Sequence, residues 1–130
     1  MILLDTHAWL WWLSDPDRLS LPARRRIADA RENGVVAVSA ISAWEAAILV
    51  RKGRLELRLA VGDIVAACSR LPFFRFVPIG AGIAVASVEL DGLHPDPADR
   101  LIVATARHEG LDLVTKDERL PRWPGATTVW

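Results

Sequence analysis

Four short, mainly apolar runs, each set beside a helix-forming stretch, constrain this chain more than anything else in it. They are Ile2-Leu3-Leu4, Val35-Val36-Ala37-Val38, Phe74-Arg75-Phe76-Val77-Pro78 and Leu111-Asp112-Leu113-Val114. Runs of this length suit strands and are too short for core helices. The segments between them read as helices. The first covers residues 7–13 and is stopped by Ser14-Asp15-Pro16-Asp17. The second opens near Leu21-Pro22, where proline fits the first turn, and ends at Asn33-Gly34. A third is capped by Ser39 or Ser42 and terminated by Gly53; Ser42 with Glu45 three residues on matches a capping box. Further helices are expected over residues 59–71, 81–90 and 98–109, and Thr127-Thr128-Val129 is a weak closing strand. Strands alternating with helices predict an α/β fold, a mainly parallel sheet covered on both faces. No linker or repeat divides the 130 residues, so one domain is expected.

Composition excludes several classes. With 52% hydrophobic and 25% charged residues the chain can build a core and does not resemble a disordered segment. Sixteen basic and sixteen acidic residues cancel, which is not the footprint of a broadly basic nucleic-acid binder but leaves room for a local phosphate-binding groove. Cys68 is the single cysteine, so intrachain disulfides and multi-thiolate zinc sites are out; in Ile64-Val65-Ala66-Ala67-Cys68 it reads as a small buried hydrophobe. His7, His94 and His108 have no close ligand spacing. The start Met1-Ile2-Leu3-Leu4-Asp5 lacks a basic leader, and the apolar stretch 35–50 is short for a membrane span and carries Glu45. A cytoplasmic protein with no membrane partner is the expectation.

The chemistry lies in four carboxylates. Asp5 follows the first strand directly and Asp117 follows the fourth by three residues, although 112 positions separate them. In a parallel sheet both fall on the edge at the C-terminal ends of the strands, where α/β folds bind ligands. Glu45 and Asp99 stand in the first turns of helices whose N-termini face that edge. Two carboxylates about 4 Å apart repel by roughly 4 kcal/mol at an effective dielectric near 20. A divalent cation relieves that conflict, and all-oxygen ligands favour Mg²⁺, with Mn²⁺ as a substitute. Such an ion activates water and neutralises phosphoryl charge, so single-step phosphodiester hydrolysis is the matching reaction.

Several residues around the acids have both a chemical and a plain reading. Thr6, Thr115 and Ser42 can bond carboxylates or cap helices; Asp96 can extend the acidic cluster or form a turn. Arg100 and Lys116 adjoin proposed ligands and can touch phosphate or lie in solvent. Arg51, Lys52, Arg54 and Arg58 read foremost as a wet face or a partner contact, and Arg24-Arg25-Arg26 cannot form one stripe on a helix. Trp9 and Trp12 can share a helical face, with Trp11 pointing elsewhere.

At these residues the chain resembles a PIN domain, specifically the VapC-type toxin ribonucleases of toxin–antitoxin pairs. The likeness is carried by Leu3-Leu4-Asp5-Thr6-His7-Ala8, by Ser39-Ala40-Ile41-Ser42-Ala43-Trp44-Glu45, by Asp96-Pro97-Ala98-Asp99-Arg100-Leu101-Ile102-Val103-Ala104-Thr105-Ala106, and by Leu113-Val114-Thr115-Lys116-Asp117. The resemblance implies a three-layer α/β/α sandwich in which Asp5, Glu45, Asp99 and Asp117 hold Mg²⁺ or Mn²⁺ for RNA cleavage. It also implies a homodimer and a cognate antitoxin that silences the enzyme, with DNA contacted only through that antitoxin. Ala98 replaces the aromatic usual in the third motif, a difference of packing. Two alternatives keep an acidic pocket: an inactive RNA- or protein-binding module, and a receiver-like phosphoryl-transfer domain. The latter normally carries an adjacent acidic pair near its first strand, which Leu4-Asp5-Thr6 lacks.

Overall fold

The computed structural model describes residues 1–92, 95–120 and 127–130; the His94 reading lies outside them. Among the described residues five strands and six helices follow in the order β1 (Ile2–Leu4), α1 (Thr6–Ser14), α2 (Leu21–Asn33), β2 (Val36–Ser39), α3 (Ala40–Arg51), α4 (Val61–Ser69), β3 (Phe74–Val77), α5 (Ala81–Val88), α6 (Pro97–Glu109), β4 (Asp112–Val114) and β5 (Thr128–Val129), with a 3-10 turn at Pro16–Arg18. The sheet order is β3-β2-β1-β4-β5 and every pairing is parallel. With helices on both faces this is an α/β sandwich around a parallel sheet, the C-terminal ends of its strands lying along one edge.

Alternation along the strands divides the core in two. Ile2, Leu4, Val36, Val38, Phe74 and Val114 face one side, where Trp9, Ala23, Ile27 and Cys68 of α1, α2 and α4 cover them. Leu3, Ala37, Val77 and Leu113 face the other, under Ile83 of α5 and Ile102, Val103 and Ala106 of α6. The helix α3 contributes Ala46 to the first core and Ile41 packs against the second. Arg75 and Asp112, the charged residues inside strands, end in ion pairs on opposite faces, with Glu109 at 3.5 Å and Arg26 at 2.7 Å. Ala98 is buried, as its packing position in the third motif requires.

Helix ends correct two expectations. The N-cap of α3 is Ser39, which accepts from Ile41 N–H at 3.2 Å; Ser42 lies inside the helix, so no Ser42–Glu45 capping box forms. The helix α6 begins at Pro97 with Asp96 as its cap, one residue earlier than expected. It ends at Gly110, whose φ of 65° is the left-handed conformation that glycine adopts without a Cβ clash. Among the described residues no helix is long and apolar enough to cross a membrane.

Candidate active site

The registers of β1 with β2 and β4 pair Leu4 with both Val38 and Val114, so the next residue along β1, Asp5, stands at the middle of the C-terminal edge. Its backbone N–H donates to Val114 O at 3.1 Å, and its side chain caps α1. Oδ1 accepts from Ala8 N–H at 2.8 Å and Oδ2 accepts from the Thr115 hydroxyl at 2.5 Å. Thr115 Oγ1 in turn accepts from Asp117 N–H at 3.1 Å. One buried hydroxyl therefore fixes the Asp5 carboxylate and the loop carrying Asp117 together, from residues 110 apart in sequence.

A second relay holds Glu45. Thr6 Oγ1 lies 2.5 Å from Glu45 Oε1 and 2.9 Å from Ser42 Oγ. A hydroxyl has one proton and an ionised carboxylate only accepts, so Thr6 donates to Glu45 and receives from Ser42. Thr6 and Ser42 are both buried. Asp96 caps α6, accepting from Ala98 N–H at 3.0 Å, and it also lines the acidic pocket.

Asp5, Glu45, Asp96, Asp99 and Asp117 line one cavity of about 200 Å³, together with Thr6, His7, Trp11, Lys116 and Arg119. Their charges act on one another. Burial raises the Asp5 carboxyl above its ordinary value against the opposing bonds from Thr115 and Ala8, and the Asp117 charge adds to the rise. Burial likewise raises Glu45, opposed by the Thr6 hydroxyl and reinforced by Asp96 and Asp5. Asp99 is pushed up to about 7, first by burial and then by Asp96, Glu45, Asp117 and Asp5. The site is electrostatically short of positive charge.

Arg119, which the sequence alone does not single out, supplies part of it. Its guanidinium meets Asp117 at 2.6 Å and stands 3.8 Å from Asp99, while its backbone N–H donates to Asp117 Oδ1 at 3.0 Å. The available sequence signal is a basic residue two positions beyond an acid in a turn. Among the described residues no three His, Cys, Asp or Glu side chains are drawn into a group that could hold a metal ion as they stand.

Arg100 does not face the pocket chemistry. Its guanidinium donates to the carbonyls of Ser87 at 2.9 Å, Val88 at 3.1 Å and Leu90 at 2.6 Å. These include carbonyls in the last turn of α5, where a helix leaves its carbonyls without intrahelical partners, so Arg100 has a structural task there. Lys116 is exposed at the pocket rim, with Nζ 5.9 Å from the Trp11 ring centroid. Trp9 is fully buried and meets Phe76 edge-on, Trp12 stacks on Phe74, and Trp11 faces the pocket, so the α1 tryptophans divide between core and site. Arg51, Lys52, Arg54 and Arg58 are all exposed.

The family model described as PIN domain matches residues 2–125. Ribonuclease VapC22 of Mycobacterium tuberculosis (strain ATCC 25618 / H37Rv) is 42% identical over 132 residues, covering 99% of this chain and 98% of its own. Among solved structures, VapBC2 from Rickettsia felis bound to a promoter DNA fragment superposes with a TM-score of 0.70 at 19% identity, over 98% of this chain and 97% of that one. A toxin–antitoxin complex from Klebsiella pneumoniae gives 0.67 at 22% identity, over 98% and 97%. Mycobacterium tuberculosis VapC20, a sarcin-ricin loop cleaving toxin, gives 0.65 at 19%, over 98% and 99%.

Proposed function

This chain belongs to the PIN-domain family, as a VapC-type toxin of a toxin–antitoxin system, and from that premise we propose that it is a metal-dependent endoribonuclease with Asp5, Glu45, Asp99 and Asp117 as its catalytic carboxylates. The observation that carries the reading is the convergence of these four acids, with Asp96, on one pocket at the C-terminal sheet edge, where the charges of the other four add to the burial that pushes Asp99 up. The donors are all oxygens and repel each other, which fits a hard divalent cation, Mg²⁺ or Mn²⁺. Held by these carboxylates, such a cation supplies a water of lowered pKa and neutralises charge on the phosphoryl oxygens.

The chain's own groups do the positioning. Thr115 and Ala8 N–H fix both Asp5 oxygens, and Thr6, backed by Ser42, fixes Glu45, so neither carboxylate has to be ordered when substrate arrives. Asp99, pushed up to about 7 by burial and by the acids around it, is the carboxyl whose charge a bound cation would relieve most. Arg119 pairs with Asp117 and so offsets part of the pocket's negative charge. A cognate antitoxin that silences the enzyme, contact with DNA only through that antitoxin, and a homodimer complete the reading; the toxin–antitoxin complexes among the structural neighbours support the first. The PIN match sets aside the receiver-like alternative.

The purified chain incubated with mixed RNAs is expected to cleave with Mg²⁺ and to stop with EDTA, and Asp5→Asn is expected to reduce cleavage to the EDTA background. Equal cutting by Asp5→Asn, or cutting indifferent to EDTA, would refute the assignment. RNA binding without turnover in any divalent ion would leave the binding-module alternative in its place.

A further inference from the structure

Five carboxylates line the pocket, yet the proposed substrate is itself a polyanion, so attraction has to come from the rim. The cavity, about 200 Å³, is below the usual range for drug-sized ligands. It has room for a phosphodiester and an ion but not for whole nucleotides, and the bases beside the scissile bond must rest outside it. Trp11 stands at that mouth. It is half-buried, one of the pocket's lining residues, and packs in part against the core that holds Trp9.

Its surroundings are those of a stacking platform. Arg18 Cζ lies 4.7 Å from the Trp11 ring centroid and Lys116 Nζ 5.9 Å from it. Both cations are exposed, and among the described residues neither is in an ion pair. His7, four residues earlier on α1, and Trp130 hold the indole from two sides, with centroids 5.7 and 5.8 Å away. Among the described residues Arg119 is the one other arginine or lysine that lines the pocket beside Lys116. Arg119 is bound to Asp117, and Arg26 is paired with Asp112 at the start of β4, the opposite edge of the sheet. Aromatic rings flanked by free cations bind single strands by stacking bases and pairing phosphates.

We propose that Trp11, Arg18 and Lys116 form a nucleotide subsite at the mouth of the acidic pocket, taking the base and neighbouring phosphate of single-stranded RNA next to the scissile bond. The proposal rests on the ribonuclease reading above and names the substrate form it acts on, an unpaired segment.

The test uses the full chain carrying Asp5→Asn, Mg²⁺ and a labelled single-stranded oligoribonucleotide followed by fluorescence anisotropy. Trp11→Leu is expected to weaken binding about tenfold and Trp11→Phe to restore most of it, since the ring keeps a stacking face. Arg18→Gln and Lys116→Gln are each expected to lower the slope of log affinity against log salt by about 0.7. Arg18 is exposed, so its variant keeps the test valid if Trp11→Leu does not fold. In the Asp5 chain the same substitutions are expected to act on KM more than on kcat. Binding within twofold of the parent in both Trp11→Leu and Arg18→Gln overturns the subsite, even if the parent chain cleaves RNA. The converse result, Trp11-dependent binding by a chain that never cleaves, overturns the nuclease reading and leaves the subsite standing. If these variants lose antitoxin binding while RNA binding is unchanged, the cluster is a protein-docking site and the proposal falls.

Discussion

Asp99 concentrates the electrostatics of the pocket in one side chain. Its ordinary pKa of 3.8 rises to about 7 because burial and four neighbouring carboxylates oppose its ionisation. A carboxyl raised in the folded state holds a proton that the unfolded chain releases, so its contribution to stability is present at low pH and lost as pH climbs from about 4 through about 7. Asp5 and Glu45 are raised too and act in the same direction. In EDTA the chain is therefore expected to be more stable to urea at pH 5 than at pH 8. Asp99→Asn should remove about 2–4 kcal/mol of that difference. An unchanged difference in Asp99→Asn would show that its carboxyl is not the group under pressure. The four acids themselves are legible in the sequence because each follows a strand or lies in the first two turns of a helix at the same sheet edge. Arg119 is not legible, because its partner Asp117 is named by a turn geometry that Asp117-Glu118-Arg119 does not encode uniquely.

At the level of elements, local chemistry announces most helices and strands, and tertiary contact decides what it leaves open. Proline at the start of α2, Gly110 after α6 and the apolar runs of β1 and β2 act within a few residues, so sequence reads them. Glu45 shows the limit. Its spacing from Ser42 promises a capping box, but Thr6, 39 residues earlier, takes the carboxylate and Ser39 caps α3 instead. Arg100 shows it again, beside Asp99 in sequence yet spent on the carbonyls of Ser87, Val88 and Leu90. These bonds tie the end of α5 to α6, the helix that carries Asp99. Charge-assisted bonds contribute about 1.5–3 kcal/mol each before the entropy of ordering the side chain is counted. Arg100→Ala is thus expected to destabilise the chain by about 2–4 kcal/mol, with Arg100→Lys recovering only part of it. Urea denaturation measures the loss. A stable Arg100→Ala chain with weakened RNA binding would reinstate the phosphate contact.

Across the whole molecule the site exists only because β1 lies between β2 and β4. Nothing in the local sequence encodes that order; the apolar runs say which segments are strands, and parallel pairing says only that their ends share an edge. The bond from Thr115 to Asp5 spans 110 residues, so the acidic pocket is a property of the folded sheet and is absent from the unfolded chain. A cation that binds the gathered carboxylates and not the separated ones must then stabilise the fold by mass action. At a free ion concentration 100 times the dissociation constant the gain is about 2.7 kcal/mol. For a chain of this size that corresponds to a rise in Tm of roughly 5–15 °C. Mg²⁺ or Mn²⁺ is expected to produce the rise and EDTA to reverse it, while KCl at matched ionic strength produces little of it. Asp5→Asn and Asp99→Asn should each reduce the response. The Asp99 variant starts from a higher Tm in EDTA at pH 8, because a source of repulsion is gone. A midpoint indifferent to divalent ions, with the fold intact, would mean that the carboxylates meet without forming an ion site, and the proposed hydrolysis would lose its premise.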